Sequence, residues 1–140
     1  MDNEKQIITI GTTVNADINK IWKYWNDPEH VVKWNAASVD WHTPHAENDL
    51  SVGSGFRYTM AARDGSFSFD FVGNYTMIVP NETIVYEIAD GRKVRIDFSS
   101  ESDKVTIVET FEAETQNPIE MQRDGWQSIL DNFKTYVEQN

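Results

Sequence analysis

Two periods of hydrophobicity divide this chain. Along Gln6 to Val14, Ile8 and Ile10 alternate with threonines, the two-residue period of a strand with one apolar face, placed at 6–14. The period then lengthens. Ile18, Ile21, Trp22 and Trp25 fall on one stripe of a helix, with Asn15 or Asp17 positioned to cap it. Asp27-Pro28 restarts the chain with aspartate as cap and proline at the first helical position. Short helices are therefore predicted over 17–26 and 28–34, the second turning Val31, Val32 and Trp34 inward.

From Ser38 the period returns to two, and strands fill the stretch between 38 and 113. Turn signals at Asn48-Asp49, Gly53-Ser54-Gly55, Asp64-Gly65, Pro80-Asn81, Asp90-Gly91 and Ser102-Asp103 separate them. Phe56, Tyr58 and Met60 share one face; Phe67, Phe69 and Phe71 share the next; Ile84, Tyr86 and Ile88 follow, then Val94, Ile96 and Phe98. Short turns make neighbours antiparallel. The opposite positions Arg57, Ser68, Asp70, Arg95 and Asp97 are polar, as in a sheet with one wet face.

The last strand is ambiguous. One parity of Val105 to Phe111 buries Val105, Ile107 and Phe111 and turns Glu109 into an aromatic interior; a bulge or edge position would send Glu109 to solvent. Alternation stops at Asn117-Pro118, and a helix over 118–138 closes the sequence, burying Trp126, Ile129, Leu130, Phe133 and Val137. Asn117, Pro118 and Glu120 resemble a capping box with proline in the first turn. Gly125 sits inside this helix at a cost of about 1 kcal/mol against alanine, which fits a close backbone approach, empty space or tight contact with the sheet. The order is strand, helix, helix, six strands, helix: an α+β chain in which one long helix has a whole sheet to cover.

A length of 140 residues suits a single domain spanning 1–140, and 39% apolar residues suffice for a core. Net charge changes the choice of partners. At −11, with no basic cluster, nucleic acid and anionic membrane surfaces are poor partners, and no run approaches a bilayer span. The absence of cysteine removes disulfides, thiolate metal sites and a cysteine nucleophile. Met1-Asp2-Asn3-Glu4-Lys5 is polar and lacks the features of a signal peptide, so a cytoplasmic location is expected. The sequons at Asn74 and Asn81 are then chance matches.

His42 and His45, with Asp40, Glu47 and Asp49 nearby, raise the question of a metal. Residues three apart on a strand point to opposite faces, so both imidazoles meet one ion only if Pro44 breaks the strand. No metal and no cofactor is expected. A nucleophile elbow, phosphate loop and dinucleotide fingerprint are all missing, leaving Glu109 and the tyrosines as the only inward titratable candidates, and no catalytic residue is assigned.

As a whole the chain resembles the START-like or helix-grip superfamily, in the branch similar to the activator of the ninety-kilodalton heat-shock protein ATPase. The likeness rests on Val14 to Trp22 leading to Asn26-Asp27-Pro28-Glu29 and Lys33-Trp34, on Gly53-Ser54-Gly55-Phe56 before a strand, on Gly73 and Pro80, and on Gly125-Trp126 with Leu130. Two positions depart from the pattern: Asp17, where members often have proline, and Asn35, where they often have a second tryptophan. The resemblance implies a curved antiparallel sheet of about six or seven strands gripping the C-terminal helix, two short helices closing one end, and an internal pocket for an apolar molecule.

The residues expected to line such a pocket are Trp34, Trp41, Phe56, Tyr58, Phe69 and Phe71, then Tyr86, Phe98, Met121 and Trp126. Glu109 and Gln122 would orient a guest, and Gly125 would leave it room. The same rings could simply complete a core. Burial of about 200 Å² of apolar ligand at about 25 cal/mol/Å² gives on the order of 5 kcal/mol before losses of ligand freedom, so micromolar binding needs polar help. Three functions follow: a module binding an apolar or aromatic small molecule, an enzyme of the polyketide-cyclase or hydrolase type, or, by family likeness alone, a domain contacting a chaperone. The first is preferred, as a monomer or weak homodimer.

Overall fold

The computed structural model describes residues 6–140; the polar start Met1 to Lys5 lies outside them. Strand β1 (Ile7–Val14) leads to helices α1 (Ile18–Asn26) and α2 (Pro28–Trp34). Six strands follow: β2 (Trp41–Asn48), β3 (Gly55–Ala62), β4 (Ser68–Val79), β5 (Thr83–Ile88), β6 (Lys93–Glu101) and β7 (Lys104–Glu112). Helix α3 (Ile119–Gln139) ends the chain. The strands form one curved antiparallel sheet in the order β1-β7-β6-β5-β4-β3-β2. This is the helix-grip order expected.

Local chemistry sets the element ends. Asp17 caps α1, its carboxylate accepting from the Asn19 N–H at 2.8 Å, and Asp27 caps α2 through the Glu29 N–H at 3.0 Å. The expected capping box of α3 does not form: Pro118 occupies the N-cap and offers no side-chain acceptor. Glu114 organises the approach instead, accepting from the Gln116 and Asn117 N–H groups at 2.7 Å each. The turns expected at Asp64-Gly65 and Asp90-Gly91 place Gly65 and Gly91 at φ 80° and 92°, where a side chain would be strained.

The core fills the space between β1, β5, β6, β7 and the helices. Val105, Ile107 and Phe111 are buried, so β7 takes the parity that turns Glu109 inward and leaves Val108 partly exposed. Ile84, Tyr86 and Ile88 on β5 and Val94, Ile96 and Phe98 on β6 are buried as expected, and Phe133 of α3 is wedged between Trp25 and Trp34, with ring centroids 4.8 and 4.9 Å away. In α2, Val31 and Trp34 are buried while Val32 is half-buried. The α3 backbone runs closest to β1 among the strands, at one edge of the sheet. The middle strands β3 to β5 therefore curve beneath a helix that stands off from them.

A bulge in β2 falls between His42 and His45, whose partners are Ala61 and Thr59. It cancels the strand parity that would separate the imidazoles, and both share the outer face. His45 pairs with Glu47 at 2.6 Å, and no group of three or more potential ligands is assembled among the described residues. None of the helices described is long and apolar enough to cross a membrane.

Candidate functional site

Where α3 stands off from the sheet there is a cavity of about 360 Å³, within the usual range for small-molecule sites. Phe56 and Tyr58 of β3, Phe71 and Tyr75 of β4, Tyr86 of β5 and Glu109 of β7 line it on the sheet side. Trp126, Ile129 and Leu130 line it on the α3 side, and Trp25, Trp34 and Asn35 where α1 and α2 close one end. Trp126 spans the gap between helix and sheet, stacked on Phe111 at 4.0 Å and edge-on to Phe71 at 6.0 Å. Trp34 is fixed from behind by donating its indole N–H to the Tyr24 carbonyl at 3.0 Å.

Nine of the thirteen expected residues meet here: Trp34, Phe56, Tyr58, Phe69, Phe71, Tyr86, Glu109, Gln122 and Trp126. The other four do not. Phe98 lies under α1 against Trp22 and Trp25, at 5.4 and 5.5 Å, and belongs to the core. Trp41 packs with Phe67 and Phe69, each at 6.2 Å, at the end of the β3–β4 hairpin, where Phe67 is 59% exposed. Phe69 reaches the cavity from this cluster and is itself 43% exposed, because the hairpin extends past its helical cover. Met121 points to solvent, since the first turn of α3 presents Gln122 inward instead.

Gly125 is half-buried and does not line the cavity; a Cβ there would meet no atom within 4 Å. The close approach entertained for it is absent. Gly125→Ala should raise stability by up to about 1 kcal/mol through helix propensity, read as a higher urea midpoint. A lower midpoint would show that α3 needs a glycine there.

The polar groups divide into spent and free. Gln122 is spent: its amide oxygen accepts from the Glu114 N–H at 2.9 Å, and its nitrogen donates to the carbonyls of Asn117 at 2.8 Å and Glu114 at 3.1 Å. Tyr75 donates to Asn48 at 2.6 Å, and Arg92 pairs with Asp90 at 2.8 Å and reaches the Glu112 carbonyl. Glu109 is free. Burial alone pushes its carboxyl up to about 8, with no offsetting hydrogen bond or opposite charge. Tyr86 and Tyr58 are pushed well up by burial, Tyr86 further by the nearby Glu109. The Asn35 amide nitrogen is buried without a partner.

Sequence reasoning missed several lining residues for identifiable reasons. Trp25 was assigned to the stripe of α1, and its ring reaches past the core into the cavity. Asn35 carried a signal, being one of the two positions that depart from the family pattern. Arg92 and Glu114 come from connections, where no periodicity reveals direction.

Fold and cavity together define a helix-grip domain of the START-like class. The chain belongs to the family described as Activator of Hsp90 ATPase homolog 1-like protein, whose model matches residues 15–138. It is similar to the solution structure of an AHSA1-like protein from Aeromonas hydrophila, with 44% identity, TM-score 0.89 and coverage of 96% of this chain and 93% of that one. A protein from Cytophaga hutchinsonii is 54% identical, with TM-score 0.82 over 95% of this chain and 92% of the other. A protein from Nitrosomonas europaea shares the fold alone, at 15% identity and TM-score 0.82, covering 99% and 97%. No curated protein matches.

Proposed function

We propose that the protein binds an apolar, aromatic-sized molecule in the cavity between the sheet and α3. The observation that carries this reading is a space of about 360 Å³ that the chain's own rings leave open around a buried carboxyl without a partner. Close-packed interiors rarely tolerate such a void, because its lining atoms forgo dispersion contacts. Folded domains also rarely keep unsatisfied polar groups; among the described residues the Asn35 amide nitrogen is buried without a hydrogen-bond partner, and burial raises the Glu109 carboxyl with no hydrogen bond to offset it. A guest would supply both the missing contacts and the missing hydrogen bonds. The apolar rings would set affinity and the two polar groups orientation.

Native mass spectrometry of the purified protein, followed by a thermal-shift screen of aromatic compounds, tests the reading. A true guest at a hundredfold excess over its Kd adds about 2.7 kcal/mol and raises Tm by several degrees. A Tm that no aromatic compound moves, with no mass carried through purification, counts against it.

A further inference from the structure

We infer that the guest carries a positive charge: a hydrophobic amine whose ammonium group sits against the Glu109 carboxylate beneath the aromatic wall formed by Tyr86, Phe71 and Trp126. This rests on the cavity being a binding site and names the chemistry that the site selects.

Glu109 is 6% exposed, faces inward from the middle of β7, and has the apolar Ile10 and Ile96 as its strand neighbours. The titratable and charged groups sharing the cavity with it are Tyr58, Tyr75, Tyr86, Arg92 and Glu114. The helices contribute none to the lining. Arg92, the one cationic group lining the cavity among the described residues, is held by Asp90 and the Glu112 carbonyl, so among those residues the internal carboxyl has no cationic partner of its own. Once ionised, a carboxyl in that position is stabilised by a cation brought in from outside, provided the pairing and the surrounding rings offset the desolvation of both ions. The walls favour the same sign, because aromatic faces carry negative quadrupole density and attract ammonium groups. Overall charge agrees: at −11 the protein draws cations toward it and repels organic acids. Neutral guests would gain the apolar contacts and at most a hydrogen bond to the carboxyl, but no ion pair.

Three probes with one ring system separate these terms: naphthylmethylamine, naphthylmethanol and naphthoic acid, titrated by calorimetry and by quenching of tryptophan fluorescence, since Trp25, Trp34 and Trp126 line the cavity. At pH 8 the amine should bind at least about tenfold tighter than the alcohol, and the acid weakest. Pairing requires an ionised Glu109, whose carboxyl burial pushes up to about 8. Amine affinity should therefore rise about tenfold per pH unit from pH 6 toward 8, then level off below the amine's own pKa. About one proton should be released per amine bound at pH 6, read from the buffer dependence of the heat. In Glu109→Gln the ratio of amine to alcohol affinity should fall to about one and the pH slope should vanish.

If alcohol and amine bind the wild type equally, or the amine shows no pH slope, the cationic guest is overturned while the cavity remains a binding site. If none of the three binds, the amine inference fails with them; the broader screen then decides on the cavity.

Discussion

Glu109→Gln should make the protein about 4 kcal/mol more stable than the wild type at pH 8 and leave it nearly unchanged near pH 4. In the folded protein the carboxyl titrates at about 8, against 4.5 for the ordinary side chain. Between those values the folded state holds one proton that the unfolded chain has lost. Stability therefore falls as pH rises through the window, by about 1.4 kcal/mol per unit. The favourable contribution is complete below the unfolded value and gone once pH passes the folded one. Glutamine keeps the shape and neutrality of the protonated acid, so the variant lacks the slope.

Other carboxyls move the opposite way: Asp97 is held low by Arg95 and Glu138 by Lys134. Their contributions appear in both proteins and cancel in the difference. Urea unfolding at a series of pH values reads the gap directly. A difference that stays constant from pH 5 to 8 would mean that Glu109 ionises freely, wetted or paired, and the free carboxyl on which the amine inference stands would be lost.

The element order was legible because each signal was local. Asp17 and Asp27-Pro28 announce helix starts, and alternating residues such as Ile84, Tyr86 and Ile88 announce a buried strand face regardless of what covers it. Parity also brought out Glu109 as a candidate, though only the folded sheet, which buries it, decides between its two directions. What covers a face is a tertiary fact, and there the reading failed. Phe98 and Tyr86 have the same pattern on adjacent strands, yet α1 covers the first and the cavity opens over the second. Trp41 and Phe67 have inward parity at the end of a hairpin with no helix above it. Met121 and Gln122 differ by one helical step, and the choice between them depends on how Glu114 draws the chain into α3.

Gly55→Ala should cost about 3 kcal/mol, the upper end for forcing one extra carbon into a closed space. Neither Gly55 nor Gly73 has a positive φ, so alanine's conformational preferences are not at stake. The obstacle is steric. A Cβ on Gly55 would fall on the carbonyl oxygen of Gly73, and it would lie 3.1 Å from Asn74 Oδ1. Backbone cannot rotate aside as a side chain can. Gly73 pairs with Phe56 across β3 and β4, and a Cβ on Gly73 would run into the Phe56 ring and come within 2.9 Å of Tyr86 Cδ1. The two glycines thus let the strands approach closely and let Phe56 lie over the vacant position, edge-on to Tyr86 at 4.8 Å. That crease helps bend the sheet under α3 and shapes the floor of the cavity. Gly73→Ala should cost less, about 1–3 kcal/mol, because its obstacles are rings that can shift. The same substitution at Gly125, which meets open space, is stabilising. A urea midpoint for Gly55→Ala close to that of the wild type would show that the two strands can part without loss, and that the curvature holding the cavity open comes from elsewhere in the sheet.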